Sequence, residues 1–188
     1  MEVREYIQNS IDVKRNILNN EKFISDVEEI INVIIAAFQT NKKILIMGNG
    51  GSASDSNHIA AEFVSKFQFH RPALAAVSLT SNSSILTGIG NDYSFKEIFS
   101  RQIEALGNEG DILIGISTSG KSENIIEGFK KAQEKKLTAI FLTSENAEYK
   151  ADYTIKVPSK TTSLIQEVHI TLAHIICAKV EEALYKKV

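Results

Sequence analysis

Apolar residues recur along this chain in two different rhythms. Up to residue 40 they return every three or four positions, as at Val27, Ile31 and Ile34, which is the spacing of a helix with one buried face. That rhythm is broken around residues 19–20, and the pattern predicts a helical N-terminal arm. Beyond residue 43, short apolar runs alternate with helical stretches. The pattern predicts five strands there, at residues 44–47, 75–79, 112–116, 139–142 and 154–157.

Helical stretches separate the predicted strands from one another. They span residues 53–67, 83–89, 95–106 and 122–135, and a last helix begins at about residue 164. Strands that are apolar on both faces and joined by helices are typical of a parallel sheet between two helical layers. We therefore expect one α/β domain over residues 1–188, with three layers (α/β/α), a five-stranded parallel sheet and a helical N-terminal arm at residues 1–40.

Composition narrows the class of protein. Hydrophobic residues make up 43% of the chain and charged residues 23%, and the formal net charge is −2. Lysines are mixed with acidic residues, and this balance does not favour a partner such as nucleic acid or an anionic membrane. The longest apolar run, residues 30–38, is shorter than the roughly 20 residues that a membrane span needs. The single cysteine, Cys177, has no disulfide partner in the chain, and no signal region follows the first residues. We expect a cytoplasmic protein with no nucleic-acid and no membrane partner.

Small residues follow the first predicted strand, at residues 48–52. The spacing of the glycines fits neither a dinucleotide-binding loop nor a Walker loop. One interpretation is a tight turn from strand to helix. The other is a backbone that approaches a bound sugar phosphate, and the next loop favours it.

Hydroxyl residues follow the third predicted strand, at Ser117, Thr118, Ser119 and Ser122. One serine or threonine is enough to cap the helix that begins there. Hydroxyls and backbone N–H groups at a helix N-terminus also bind phosphate well. Because four hydroxyls exceed what capping needs, the pattern favours phosphate recognition.

His58 and Glu62 lie four residues apart in the predicted helix after the first loop. That spacing places both side chains on one helical face, within reach of one ligand or metal. A solvent-exposed Glu–His pair is the alternative interpretation. Because the pair follows the glycine-containing loop directly, we expect it to face the same pocket.

The last predicted helix carries Gln166, Glu167, His169 and His174 in an otherwise apolar sequence. Polar side chains in apolar surroundings need hydrogen-bonding partners. For His169, a structural hydrogen bond and a functional role both remain open at this stage.

In their order and spacing, these motifs resemble the sugar isomerase (SIS) domain family, and within it the phosphoheptose isomerases. The resemblance covers nearly the whole chain, and it implies a flavodoxin-like sheet and a homotetramer with active sites between subunits, for which the arm at residues 1–40 is used. The matching motifs are residues 48–52, His58 with Glu62, residues 90–92, 99–101 and 115–122, and residues 165–169 with His174.

The resemblance implies conversion of D-sedoheptulose 7-phosphate to D-glycero-D-manno-heptose 7-phosphate, the first step toward the heptose of lipopolysaccharide and related surface glycans. It makes Glu62 and His174 the acid–base pair. It also implies zinc, with His58, Glu62, Gln166 and His174 as ligands. The residues implied in substrate binding are Asn49, Gly50, Gly51, Ser52, Glu62, Asn91, Asp92, Ser117, Thr118, Ser119, Ser122 and Gln166.

The chemistry of such a reaction suits these residue types. Moving a carbonyl from C2 to C1 requires a base that takes a proton from one carbon and returns it to the next, and a carboxylate can do this. A histidine can move protons between the two oxygens. The enediolate between the two states needs charge stabilisation from a metal or from oriented donors.

The spacing within the last helix adds a geometric expectation. Gln166 and His174 are eight residues apart, which is about 12 Å along a helix axis. One metal ion is hard to reach from both positions of the same helix. We therefore expect helices of neighbouring subunits to meet at the site, one supplying Gln166 and another His174.

Three alternatives remain open. A relative with the same fold is a non-catalytic tetramer that binds the bacterial replication initiator protein, and other relatives are sugar-phosphate-sensing domains. The third is an isomerase of another phosphosugar. Ser163 bears on that choice because relatives can carry an acidic residue three positions before the glutamine that corresponds to Gln166.

Overall fold

The computed structural model describes residues 2–186, so Met1, Lys187 and Val188 of the predicted domain lie outside the described residues. Seven α-helices lie within that range: α1 (Val3–Leu18), α2 (Glu21–Gln39), α3 (Gly51–Val64), α4 (Ser83–Asp92), α5 (Ser100–Leu106), α6 (Glu123–Glu134) and α7 (Thr162–Tyr185). Five strands lie between them: β1 (Ile44–Gly48), β2 (Ala76–Ser78), β3 (Ile112–Ile116), β4 (Thr138–Ser144) and β5 (Tyr153–Val157).

The five strands form one parallel sheet in the order β2-β1-β3-β4-β5. This is the strand order of flavodoxin-like folds, so the predicted sheet is confirmed. Gly48 at the end of β1 pairs with Ile116 at the end of β3. The loops that follow these two strands therefore leave the sheet side by side, at its carboxyl edge.

The sheet has helices on both faces, as predicted. Successive residues of β1 point to opposite faces, because side chains alternate along a strand. Ile44 and Ile46 pack into the core that α2 and α7 share. Leu45 and Met47 pack into the second core, under α5 and α6. The three-layer α/β/α architecture is thereby confirmed.

The predicted arm consists of two helices. Asn20 caps α2, since its side chain accepts a hydrogen bond from the Phe23 N–H at 3.1 Å. Helix α2 buries a full apolar face against the sheet and α7, whereas Ile17 is the one buried residue of α1. An apolar row on α1 at helical spacing stays exposed: Val3, Ile7 and Ile11.

Three predicted helices differ from the observed ones by three residues or more. The helix expected over 83–89 continues to Asp92. The helix expected to reach residue 67 ends at Val64. The helix expected over 95–106 is divided into a 3-10 turn at Phe95–Glu97 and helix α5. At the division, Ser100 Oγ donates to the Glu97 carbonyl at 3.2 Å, a local bond that competes with regular helix bonding. Among residues 2–186, none of the helices combines the length and the hydropathy that a membrane span requires.

Candidate active site

Residues 49–52 follow β1 and contain the start of helix α3, whose N-cap and first residue are both glycine. Gly50 is the N-cap residue and has φ = +56°, a left-handed conformation that favours glycine. No side chain caps the first N–H groups of α3, which leaves these donors for an anion. Ser52 is buried, and its carbonyl accepts a hydrogen bond from Ser56 Oγ at 2.8 Å. We call residues 49–52 the glycine loop.

The loop after β3, residues 117–122, gathers its hydroxyls around one point. Ser117 Oγ lies 3.4 Å from Ser119 Oγ and 3.3 Å from Ser122 Oγ, and it accepts the Gly120 N–H at 3.2 Å. Ser122 is the N-cap residue of α6, but its side chain makes no capping hydrogen bond. Thr118 lies within the loop and is half-buried. Capping therefore does not account for these hydroxyls. We call residues 117–122 the serine loop.

A pair of amides joins the two loops. Asn49 Nδ2 donates to Asn124 Oδ1 at 2.8 Å, and Asn124 Nδ2 donates back to Asn49 Oδ1 at 2.9 Å. Asn124 is buried near the start of α6. The sequence analysis missed Asn124. A signal was present, because an amide at a buried position of an amphipathic helix needs a hydrogen-bonding partner.

His58, Glu62 and His174 lie together where α3 packs against α7. His58 Nε2 is 2.9 Å from His174 Nε2 and 3.6 Å from Glu62 Oε1. The two histidine rings meet edge to face, with centroids 5.2 Å apart. His58 and Glu62 thus face α7 as a pair, with side chains 46% and 23% exposed.

The same three side chains carry the donor types that zinc prefers, namely imidazole nitrogen and carboxylate oxygen. Within residues 2–186, however, no group of three or more His, Cys, Asp or Glu side chains is spaced to hold a metal ion as the side chains stand. The donor atoms are therefore of the types that bind zinc, although their present spacing does not form a metal site. The predicted zinc ion itself stays a prediction.

Gln166 meets α3 one turn before this cluster. A Cβ atom at Gly51 would lie 2.2 Å from Gln166 Nε2, so this side chain occupies space that only glycine leaves open. Gln166 Nε2 also lies 3.5 Å from Asp55 Oδ2. Burial raises the pKa of Asp55 above its ordinary value, against the opposing effects of Gln166 and His58. Asp55 was not predicted as a site residue.

A single chain brings both predicted α7 residues to α3. Gln166 contacts α3 at Asp55, and His174 contacts it at His58, one turn later. Gln166 also packs against Gly51, which lies seven positions before His58 on α3, and Gln166 and His174 lie eight positions apart on α7. The two helices run side by side, so these separations nearly match. Assembly of the site from neighbouring subunits stays a prediction.

Asn91 and Asp92 lie at the exposed C-terminal end of α4, and Asn91 Nδ2 donates to Asp92 Oδ1 at 2.8 Å. Neither side chain bonds to the glycine or serine loop within the described part of the chain. Asp92 lines a cavity of about 420 Å³. The Arg101 guanidinium at this cavity stacks over the Tyr93 ring at 4.0 Å. Substrate binding by Asn91 and Asp92 stays a prediction.

His169 is a buried histidine that is connected to the serine loop through Thr143. Its Nε2 lies 3.2 Å from the Thr143 carbonyl, and Thr143 Oγ1 donates to the Ser117 carbonyl at 2.8 Å. Burial lowers the pKa of His169 to about 4, so the ring is neutral and its Nε2–H donates to Thr143. Of the two roles left open for His169, the structure favours the structural one.

Glu167 connects α7 to the arm rather than to the two loops. Its carboxylate accepts from Ser10 Oγ at 2.5 Å, Tyr6 Oη at 3.1 Å and Lys14 Nζ at 3.2 Å. These bonds, that of Ser10 above all, hold the pKa of Glu167 below its ordinary value. Tyr6 Oη also lies 2.8 Å from Ser163 Oγ. Helix α1 thereby fixes the first turns of α7, just beside Gln166.

Comparison with known proteins identifies the family. A family model described as the SIS domain matches residues 5–144. The chain belongs to the SIS domain family. Among curated SIS-domain relatives, the phosphoheptose isomerase of Clostridium acetobutylicum is 52% identical over 186 residues, which cover 97% of this chain and 95% of that protein. The phosphoheptose isomerase of Aneurinibacillus thermoaerophilus is 50% identical and covers 98% of this chain and 94% of its own length.

Solved SIS-domain structures agree with this assignment. The phosphoheptose isomerase of Neisseria gonorrhoeae superposes with a TM-score of 0.88 at 38% identity, covering 96% of this chain and 97% of that one. The enzyme from Francisella tularensis superposes with a TM-score of 0.90 at 31% identity, covering 96% of each chain. The predicted fold and the predicted enzyme class, an isomerase, are confirmed.

Proposed function

We propose that this SIS-domain isomerase converts D-sedoheptulose 7-phosphate to D-glycero-D-manno-heptose 7-phosphate. The observation that carries the proposal is the cluster that His58 and Glu62, on the helix that the glycine loop begins, form with His174 of α7. The serine loop lies beside the glycine loop. The full-length relatives that carry the name phosphoheptose isomerase support the choice of substrate.

The serine loop is the proposed phosphate site. Its hydroxyls converge at Ser117, Ser119 and Ser122, and α6 directs its N-terminus to the same point. A helix N-terminus favours a doubly charged phosphate through its N–H groups and its dipole. A phosphate held there leaves C1 and C2 of the sugar to extend toward the glycine loop and α3. Holding the substrate at its far end fixes the reactive carbons against the base.

Proton transfer is the proposed work of Glu62 and His174. The Glu62 carboxylate takes the proton from C1 while an acid protonates the oxygen on C2, which gives an enediol. The same carboxylate then returns a proton to C2 as the oxygen on C1 loses its own, which leaves an aldehyde at C1. His174, whose ring nitrogen can both donate and accept, moves the oxygen-bound protons. No net oxidation occurs, and all atoms are retained.

Zinc is part of the proposal. His58, Glu62 and His174 would hold the ion, with Gln166 one turn away. When bound, zinc supplies a positive charge that stabilises an oxyanion. We place the reaction in the cytoplasm, where the aldose phosphate product is consumed by enzymes that build heptose for surface glycans.

Self-association as a homotetramer completes the proposal. Helix α1 exposes Val3, Ile7 and Ile11 in one row. An apolar cavity of about 620 Å³ lies between α1, α2 and α7, with Ile31 and Leu172 among its lining residues. Exposed apolar surface of this kind is typical of an interface. Because α7 carries Gln166 and His174, subunits that pack on it would meet close to the site.

The decisive experiment is an isomerisation assay on the purified, intact protein with sedoheptulose 7-phosphate. We expect turnover, its loss in Glu62→Gln and in His174→Gln, and its loss with a chelator followed by recovery with Zn²⁺. Inorganic phosphate should still bind to both variants, because the serine loop is unchanged. Binding of the ketose phosphate without turnover would instead identify a sensor. Turnover of only a shorter ketose phosphate would refute the substrate.

A further inference from the structure

Arg71 and Glu181 form an ion pair in the interior of the protein, next to the candidate site. Arg71 Nε lies 3.1 Å from Glu181 Oε1, and the two side chains are 1% and 0% exposed. Removing two charges from water costs several kcal/mol per ion, so a buried pair is a poor means of stabilising a fold. What the two side chains hold in place is therefore informative.

Arg71 closes the end of helix α3. Its Nη2 donates to the Glu62 carbonyl at 2.8 Å, and its Nη1 donates to the Phe63 carbonyl at 2.7 Å and the Pro72 carbonyl at 3.0 Å. The last carbonyls of a helix have no partner within the helix. The guanidinium supplies those partners. It thereby fixes the backbone of Glu62, the proposed base.

Glu181 organises the segment that follows α3. Besides Arg71, its carboxylate accepts the Phe67 N–H at 3.0 Å and the Gln68 N–H at 2.7 Å. The Phe67 ring in turn stacks on the His174 ring, with centroids 5.6 Å apart and planes 29° apart. The same carboxylate therefore holds the surface against which His174 packs.

We propose that Arg71 and Glu181 are a positioning pair that sets Glu62 and His174 relative to each other. This inference rests on the proposed function, in which those two residues are the acid–base pair. Arg71 acts on Glu62 through its carbonyl, and Glu181 acts on His174 through Phe67. Neither member of the pair touches the substrate.

Arg71→Lys is the sharpest test. Lysine keeps the positive charge, but it lacks the planar fork that bonds the carbonyls of Glu62 and Phe63 together with Glu181. We expect kcat for isomerisation to fall about 10- to 100-fold, as for small displacements of catalytic groups. We expect KM and the affinity for inorganic phosphate to stay within about twofold of wild type, since Arg71 does not contact the serine loop. Glu181→Gln should likewise lower kcat and leave KM and phosphate affinity nearly unchanged. A cooperative thermal unfolding transition is the check that each variant is folded.

The control is Lys43→Met, which breaks another partly buried ion pair. Lys43 Nζ lies 2.5 Å from Asp111 Oδ2 at the amino edge of the sheet, opposite the two loops. This variant should unfold at a lower temperature with kcat unchanged. Wild-type kcat in folded Arg71→Lys and Glu181→Gln would overturn the positioning role. Equal losses of kcat and phosphate affinity would also overturn it, because they indicate a general loss of structure.

A crystal structure of Arg71→Lys separates this inference from the proposed function. A wild-type protein that does not isomerise sedoheptulose 7-phosphate refutes the function alone. The positioning role then depends on the His58–Glu62 and His58–His174 separations, which are 3.6 and 2.9 Å in the native protein. Lengthening of either separation in the variant supports the role, and unchanged separations refute it.

Discussion

Asn49 and Asn124 lie 75 positions apart in the chain and exchange two side-chain hydrogen bonds, at 2.8 and 2.9 Å. Asn49 belongs to the glycine loop, and Asn124 lies in the first turn of the helix that the serine loop begins. The amide pair therefore sets the distance between the two loops. A substrate that spans both loops depends on that distance.

Asn124→Asp should weaken phosphate binding. The change replaces the amide nitrogen by an oxygen, so Asn49 Oδ1 loses its donor and faces a second acceptor. Leaving such a group unpaired costs about 1–3 kcal/mol. We expect the inhibition constant of inorganic phosphate to rise about tenfold, with added repulsion from the new charge. Asn20→Asp is the matched control, because aspartate caps α2 as well as asparagine does. Equal phosphate inhibition in the two variants would contradict the prediction.

Ser122→Ala and Asn20→Ala should change different properties, phosphate affinity in the first and stability in the second. Both residues occupy N-cap positions, but only the Asn20 side chain bonds to its helix. Asn20→Ala should lower the free energy of unfolding by about 1 kcal/mol and leave phosphate affinity unchanged. Ser122→Ala should weaken phosphate binding several-fold and leave the unfolding free energy nearly unchanged. Urea unfolding and phosphate inhibition measure the two effects. A Ser122→Ala variant as destabilised as Asn20→Ala would show that Ser122 acts as a cap.

Gly51→Ala should lower activity without unfolding the protein. The new Cβ would lie 2.2 Å from Gln166 Nε2, and Gln166 can move away because its side chain is flexible. We expect kcat to fall about tenfold or more, as displaced site groups commonly cause. Gly88→Ala in α4 is the control, since nothing lies within 4 Å of its Cβ position. A Gly51→Ala enzyme with wild-type kcat would show that the position of Gln166 is unimportant for turnover.

The sheet was predictable because its central strands are apolar on both faces. The observed β1 and β3 differ from their predicted bounds by one residue or none. The His58–Glu62 pair was predictable too, since four-residue spacing is local. Asn124, Arg71 and Glu181 were not, because their partners lie 75 and 110 positions away. The contacts of Arg71 and Glu181 form only when α3 packs against α7. The contact of Asn124 forms only when the serine loop lies beside the glycine loop.

The stability of the protein should depend on pH through His169. Burial lowers the pKa of this histidine to about 4 in the folded chain, whereas an unfolded histidine titrates near 6.5. Between these values the unfolded chain takes up a proton that the folded chain does not bind. The free energy of unfolding contributed by His169 is therefore complete above about pH 6.5. It declines as pH is lowered toward 4, by about 3 kcal/mol in total.

His169→Gln should flatten this part of the pH profile. Glutamine keeps an N–H donor for the Thr143 carbonyl but does not titrate, so position 169 of the variant contributes no gain in stability as pH is raised from 4 to 6.5. We expect it to be less stable than wild type at pH 7 and to approach wild-type stability near pH 4.5, in urea unfolding at one protein concentration. His70→Gln, at an exposed histidine, should follow the wild-type profile. If the unfolding free energies of wild type and His169→Gln change with pH in parallel, His169 takes up a proton as readily in the folded chain as in the unfolded one. That result would contradict the prediction, because a buried imidazolium with one carbonyl partner is costly.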